Sequence, residues 1–190
     1  MRTNDDDVKI FHPKKSDNPG ADFAALAALT DEFRRNGNAK KAEELGKDLA
    51  SISPESLCPE QTSGLPNNVL FQLRVLMIFS AQLALHKYMP HPVLATQATN
   101  ALYAELEQNA EGLFANIYEG SSFSFYYLPV RKNKDVEREI GRNFAMLCDK
   151  DDYEPYIALG RQAFAAVDAY VYDRVTAMSS GMAAISGALI

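Results

Sequence analysis

The sequence predicts an all-α fold, a single-domain bundle of about six helices that begins with an N-terminal helical hairpin. Apolar residues recur every three or four positions along several long segments, which is the spacing of one helix face. Glycine, proline and polar clusters separate these segments, and no pair of alternating apolar segments indicates a β-hairpin. With 190 residues, the chain is long enough to bury the core of one domain.

The N-terminal part of the chain predicts an arm followed by the hairpin. Residues 1–20 are expected to form a flexible arm, because they are rich in charge and poor in apolar side chains. Residues 21–52 contain two amphipathic segments that meet at Gly37, where a left-handed conformation would end the first helix. Asn38 is expected to cap the second helix.

The middle of the chain predicts a connection and then the main bundle. Residues 53–66 contain several prolines and serines, so we expect a loop there and a hinge between the hairpin and the rest. The main bundle is predicted over residues 67–178. Its first helix, residues 68–88, is apolar around most of its circumference, which predicts a central helix packed on several sides.

A second long helix of the bundle is predicted over residues 93–119, and it ends in a glycine. The aromatic segment after it, residues 121–130, is expected to be irregular or extended, because we expect Phe123, Tyr126 and Tyr127 to diverge on a helix. A β-strand is the second interpretation, since aromatic residues favour strands but no partner strand is evident.

Two further helices complete the predicted bundle. Asp135 is expected to cap the first of them. Pro155 is placed in the first turn of the last helix, whose apolar periodicity continues to Met178. Residues 179–190 are expected to form a small apolar tail.

Composition and charge restrict the classes of partner. The formal net charge is -6 and the isoelectric point is near 5.1, which argues against nucleic acid as a partner. The apolar segment at residues 175–190 is short and diluted by serine and glycine, so no membrane span is expected. Two distant cysteines and the absence of an apolar N-terminal segment predict a cytoplasmic protein.

The sequence predicts neither a metal site nor a cofactor, and it singles out no catalytic residue. Its three histidines, His12, His86 and His91, lack the spacing of known metal motifs. Cys58 and Cys148 lack the paired spacing of a zinc site, so we expect both to be buried as small apolar side chains. No glycine-rich phosphate loop or nucleophile motif is present.

The strongest candidate for a binding site is an aromatic pocket that includes a cation. In this hypothesis an arginine beside the aromatic rings binds the carboxylate or phosphate of an organic anion through two hydrogen bonds. The opposing interpretation is that the rings belong to the core and that the nearby charges are solvated. The candidate residues are Phe123, Phe125, Tyr126, Tyr127, Arg74, Arg131 and Arg138.

Two arginines lie among apolar neighbours and should each find a partner. Arg74 and Arg174 would be costly to bury unpaired, so each is expected to meet a carboxylate, backbone carbonyls or a ligand anion. The candidate acids are Glu105, Glu119, Asp168 and Asp173.

The favoured function is that of a non-enzymatic cytoplasmic protein that acts through protein–protein contacts. The partner would be a second copy of the chain, as in a homodimer, or another protein. One alternative is a domain that binds a small organic anion at residues 123–127. Another is an enzyme whose motif is not readable from the sequence.

Overall fold

The computed structural model describes residues 19–120 and 122–186, and every regular element within them is an α-helix. The all-α prediction is therefore confirmed for the described chain. Most of the predicted N-terminal arm and the last residues of the predicted tail lie outside these ranges. The helices are α1 Pro19–Arg35, α2 Asn38–Ala50, α3 Pro54–Leu57, α4 Pro59–Thr62, α5 Asn67–Tyr88, α6 Pro92–Asn109, α7 Glu111–Glu119, α8 Ser122–Lys132, α9 Val136–Leu147 and α10 Glu154–Ser186.

The turn between α1 and α2 depends on Gly37. Its φ of 78° is left-handed, as the sequence predicts, and this conformation suits a residue without Cβ. The prediction that Asn38 caps α2 is wrong, because Asn38 is the first residue of the helix. The side-chain oxygen of Asn36 accepts the N–H of Asn38 at 3.1 Å instead.

The segment predicted as a loop contains two single-turn helices, α3 and α4. Ser53 and Ser56 form a reciprocal capping box at the start of α3. Pro54 and Pro59 each open a helix, a position where the missing N–H of proline costs nothing. The loop prediction is therefore wrong for these turns, since prolines that break one helix also begin another.

Helix α5 is the centre of the fold and contacts α2, α3, α6, α7, α8, α9 and α10. Every residue from 75 to 81 is buried, which confirms that the helix packs on several sides. Among the described helices, α5 alone is long and apolar enough to cross a membrane, with a mean hydropathy of 1.5. A core helix can have the same length and composition, and 61% of this apolar window is buried inside the protein.

The predicted continuous helix over residues 93–119 is wrong, because the chain breaks at Ala110 into α6 and α7. Ala110 has φ −147° and ψ 50°, outside the helical region. Asn109 and Gly112 flank the break, and both are weak helix formers.

The aromatic segment is helical over Ser122–Lys132, so the prediction of an irregular or extended passage is wrong. Phe123, Tyr126 and Tyr127 are spaced i, i+3 and i+4, and side chains at that spacing share one helix face. All three rings contact Phe79 of α5, with centroid distances of 5.5, 5.3 and 5.0 Å. The three side chains converge rather than diverge.

Pro129 lies inside α8, where it cannot donate a hydrogen bond to the carbonyl of Phe125. The Nδ2 group of Asn143 on α9 donates to this carbonyl at 2.6 Å. A side chain of the neighbouring helix thus replaces the backbone donor that proline lacks.

The last two helices depart from the sequence prediction at their ends. Asp135 occupies the position before α9 in a left-handed conformation, with φ 47°, and its side chain makes no capping hydrogen bond. The predicted cap is therefore wrong in its chemistry. Helix α10 extends to Ser186, beyond the predicted end at Met178, and its 33 residues give a length of about 50 Å.

Two helix pairs, α2 with α6 and α9 with α10, have the most extensive contacts in the fold. In each pair, one helix has a glycine at the point where the backbone of the second helix crosses it. A Cβ at Gly46 of α2 would collide with the carbonyl oxygen of Ala98, and a Cβ at Gly141 of α9 would collide with that of Ile157. Only glycine permits so close an approach.

We expect Gly46→Ala to lower the free energy of unfolding by about 2–3 kcal/mol, because the new methyl group must push α2 away from α6. Urea denaturation followed by circular dichroism measures the change. Gly112→Ala on α7 is the matched control. Its Cβ meets no atom within 4 Å, so we expect a gain of about 0.5 kcal/mol. Equal effects of the two substitutions would contradict the close approach of α2 and α6.

We expect Asn143→Ala to lower the free energy of unfolding by about 1–3 kcal/mol, because it leaves the Phe125 carbonyl without its donor. Pro129→Ala restores a backbone N–H that can serve the same carbonyl. In a double-mutant cycle, Asn143→Ala should therefore cost at least about 1 kcal/mol less in the Pro129→Ala background. Additive effects would show that Asn143 does not replace the missing donor.

Candidate functional site

Helix α8 has an inner face that packs into the core. Tyr126 is fully buried, and its hydroxyl has no hydrogen-bond partner among the described residues. Burial raises the pKa of Tyr126, so this hydroxyl stays neutral. The rings of Tyr126, Phe123 and Tyr127 together surround the ring of Phe79. Three of the four candidate aromatic residues thus form a packed cluster.

A hydrogen-bonded chain ties this cluster to α5 and α6. Tyr103 donates its hydroxyl hydrogen to Oε1 of Gln82 at 2.6 Å, and Nε2 of Gln82 donates to the Tyr127 hydroxyl at 3.1 Å. Burial raises the pKa of both tyrosines, so each keeps its proton near neutral pH. These two hydrogen bonds restrain the rotation of α8 relative to α5 and α6.

The outer face of α8 lines a cavity of about 650 Å³ that is open on one side, which we call the α8–α9 groove. Phe125, Leu128 and Pro129 give it an apolar floor. Leu128 is 49% exposed and so adds accessible apolar surface to this floor. The lining residues are Phe125, Leu128, Pro129, Lys132, Lys134, Asp135, Glu139 and Asn143.

The charges of the α8–α9 groove are gathered near the turn that joins the two helices. Lys132 and Lys134 lie on this side, together with Asp135 and Glu139. Arg142 pairs with Glu139 at 3.0 Å and neutralises it. The groove therefore keeps a small positive charge in a protein of net charge -6.

The candidate arginines do not join the aromatic residues in this groove. Nη2 of Arg74 donates to the carbonyl of Ala50 at 3.5 Å, where a cation complements the C-terminus of α2. Arg131 is exposed near the end of α8. Arg138 lines an adjoining polar groove that also contains Glu137 and Arg161. Of the seven candidates, Phe125 alone lines the α8–α9 groove.

Arg174 forms an ion pair, but with an acid that the sequence did not suggest. Its guanidinium contacts Asp48 of α2, and both side chains are about half exposed. Asp168, one of the suggested partners, pairs instead with Lys87 at 3.2 Å. The acid that an arginine meets depends on how distant helices pack, and spacing along one helix does not reveal it.

A second cavity, of about 560 Å³, lies between α5, the α8–α9 turn and α10, and we call it the α5–α10 groove. Its walls are mainly apolar. Lys87 and Asp168 lie at its edge, and the Tyr88 hydroxyl donates to Oδ2 of Asp168 at 2.6 Å. The lining residues are Leu83, His86, Lys87, Val130, Asn133, Val136, Glu137, Phe164, Ala165, Asp168 and Ala169.

Of the two described histidines, His91 has a structural role and His86 lines the α5–α10 groove, while both cysteines are buried. His91 caps α6, since its Nδ1 accepts the N–H of Val93 at 3.1 Å. Cys58 and Cys148 are free and buried, as predicted. Burial raises the pKa of the Cys148 thiol to about 12, so the reactive thiolate is not populated. No group of three metal-binding side chains occurs in the described part of the chain, while His12 lies outside it.

Sequence reasoning identified the aromatic segment but missed Leu128, Lys132 and Asn143 as groove residues. The signal was present in the spacing. Phe125, Leu128 and Lys132 share one face of a helix, and Glu139 and Asn143 share one face of the next. Comparison of the chain with known protein families, with characterised proteins and with solved structures found no match.

Proposed function

We propose that this is a non-enzymatic cytoplasmic protein that acts by binding other protein chains, beginning with copies of itself. The observation that carries the proposal is the α8–α9 groove, an open apolar surface with lysines at one side. A groove of this kind suits an amphipathic helix, whose apolar side chains enter the floor. Two free, buried cysteines favour the cytoplasmic assignment, because they need no oxidising compartment.

Helix α1 supplies a second surface that lacks cover among the described residues. Phe23 is 74% exposed and Leu26 is 47% exposed, and every residue from 23 to 28 is exposed. Helix α1 contacts α2, and its Phe33 packs against the core, but residues 23–28 gain no such support from the described residues. Burying one such apolar side chain stabilises by about 1.5–3 kcal/mol, so a partner would stabilise α1.

The two surfaces complement each other, which favours a second copy as the partner. Helix α1 offers Phe23 and Leu26 at the spacing of helix anchors, and the α8–α9 groove offers an apolar floor of Phe125, Leu128 and Pro129. Apolar contact carries this complementarity, because Asp31 and Glu32 of α1 are balanced by Arg34 and Arg35, and Arg34 pairs with Asp31 at 3.4 Å. Docking of α1 onto the groove of the next copy is a heterologous contact, which forms rings or chains.

We expect the wild-type protein to associate with increasing concentration in sedimentation velocity. Phe23→Glu and Leu128→Glu should each weaken this association about tenfold or more, since each places a charge in the apolar contact. An equimolar mixture of the two variants should form a dimer but nothing larger, because one intact α1 can still meet one intact groove.

The matched control is Tyr118→Glu, which places the same charge at an aromatic residue that is 82% exposed and lies on neither surface. It should associate like the wild type. A wild-type protein that stays monomeric at all concentrations, or variants whose mixture stays monomeric, would rule out this mode of association.

A second proposal is that the α8–α9 groove binds a small organic anion. Phe125 and Lys132 line the same cavity, so a planar carboxylate could place its ring on the floor and its charge beside the lysine. We expect 1-naphthoate to raise the melting temperature of the wild-type protein in a thermal-shift assay. The increase should disappear in Lys132→Met, and an equal increase in that variant would exclude this site.

A further inference from the structure

The α5–α10 groove has the size and lining of a small-molecule site. Its volume of about 560 Å³ falls within the usual range for ligand pockets. Leu83, Val130, Val136 and Phe164 give it apolar walls that come from four different helices. Because those helices are held by the core, the shape of the groove is set before any ligand arrives.

A hydrogen-bonded polar cluster lies at the edge of this apolar cavity. Nζ of Lys87 lies 3.2 and 3.3 Å from the two oxygens of Asp168, and the Tyr88 hydroxyl donates to Oδ2 at 2.6 Å. Tyr88 in turn packs edge-on against Tyr172, with ring centroids 5.1 Å apart. Two donors therefore hold the Asp168 carboxylate in one orientation.

The charges around the groove favour a cation. Asp168 and Glu137 are anionic, and Lys87 balances one of them. Glu137 forms no ion pair with any residue that the structure describes, although it also lines the adjoining groove that contains Arg138 and Arg161. The groove also includes the last turn of α5, whose unpaired carbonyl groups carry partial negative charge. His86, on the same turn, is the remaining titratable residue of the lining.

From this arrangement we infer that the α5–α10 groove binds an organic ammonium ion, with its apolar part against Leu83, Val136 and Phe164 and its charge beside Asp168 and Glu137. The Lys87 ammonium occupies the place of the ligand's charge in the structure. Lys87 is exposed enough to move aside, since 55% of its side chain is accessible. This inference does not depend on the proposed self-association, which uses other surfaces.

Three probes of equal chain length test the charge preference. We expect n-octylammonium, used below its micellar concentration, to bind wild-type protein saturably at one site in isothermal titration calorimetry. n-Octanol and n-octanoate should bind about tenfold more weakly or not at all, because they lack the charge that the carboxylates recognise. Chemical-shift changes of backbone amides should centre on Ala165 and Ala169.

Variants of the polar cluster separate the two signs of charge. Asp168→Asn and Glu137→Gln should each weaken n-octylammonium binding, Asp168→Asn by about tenfold. Lys87→Met should strengthen it, because the competing internal cation is removed, whereas a site for anions would lose its affinity in this variant. Glu137 is exposed, so Glu137→Gln keeps the test valid if Asp168→Asn fails to fold.

Glu154→Gln is the control for general attraction to an acidic protein, since Glu154 lies outside this groove and the substitution changes the net charge equally. It should bind n-octylammonium like the wild type. Preference for n-octanoate, weaker n-octylammonium binding in Lys87→Met, equal losses in Glu154→Gln and Glu137→Gln, or no saturable binding would each overturn the inference.

Discussion

The fold depends on two places where helix backbones approach closely enough to exclude a side chain. Gly46 lets α2 lie against the carbonyl of Ala98 on α6, and Gly141 lets α9 lie against that of Ile157 on α10. At such distances many atoms of both helices are in van der Waals contact, which accounts for the extensive packing of these pairs. Helix α5 then fills the space between the two pairs. The absence of a side chain at Gly46 and at Gly141 thus sets the distance between the two helices of each pair.

The aromatic segment connects this bundle to both candidate sites. Its inner face surrounds Phe79, and its outer face forms the floor of the α8–α9 groove. Val130, near the end of the same helix, reaches the α5–α10 groove. A change in the rotation of α8 would therefore alter both cavities together. The hydrogen bonds between Tyr103, Gln82 and Tyr127 oppose such a rotation.

The sequence predicts those features that depend on regular spacing along one segment. The central position of α5 and the start of α10 near Pro155 follow from apolar periodicity and proline position. The burial of both cysteines follows from their residue type. The helical state of α8 was open to prediction, because the spacing of Phe123, Tyr126 and Tyr127 places them on one helix face and the expectation that they diverge is wrong. The compensation of Pro129 by Asn143 does not follow from the sequence, because that contact exists only after folding. The spacing places the lining residues of the α8–α9 groove on shared helix faces, but the grooves themselves do not follow from the sequence, since each requires the relative placement of separate helices. The break at Ala110 leaves only a weak trace, because Asn109 and Gly112 are poor helix formers whereas Ala110 itself favours a helix.

The hydrogen bond from Asn143 to the Phe125 carbonyl couples the stability of α8 to the docking of α9. An isolated peptide spanning α8 would contain a carbonyl that no local backbone donor can serve, and so its helix would fray at that turn. Once α9 docks, the Phe125 carbonyl accepts a hydrogen bond from Asn143, and this bond also fixes the register between the two helices. Pro129, a residue that normally interrupts a helix, thus makes the helical state of α8 depend on its packing against α9.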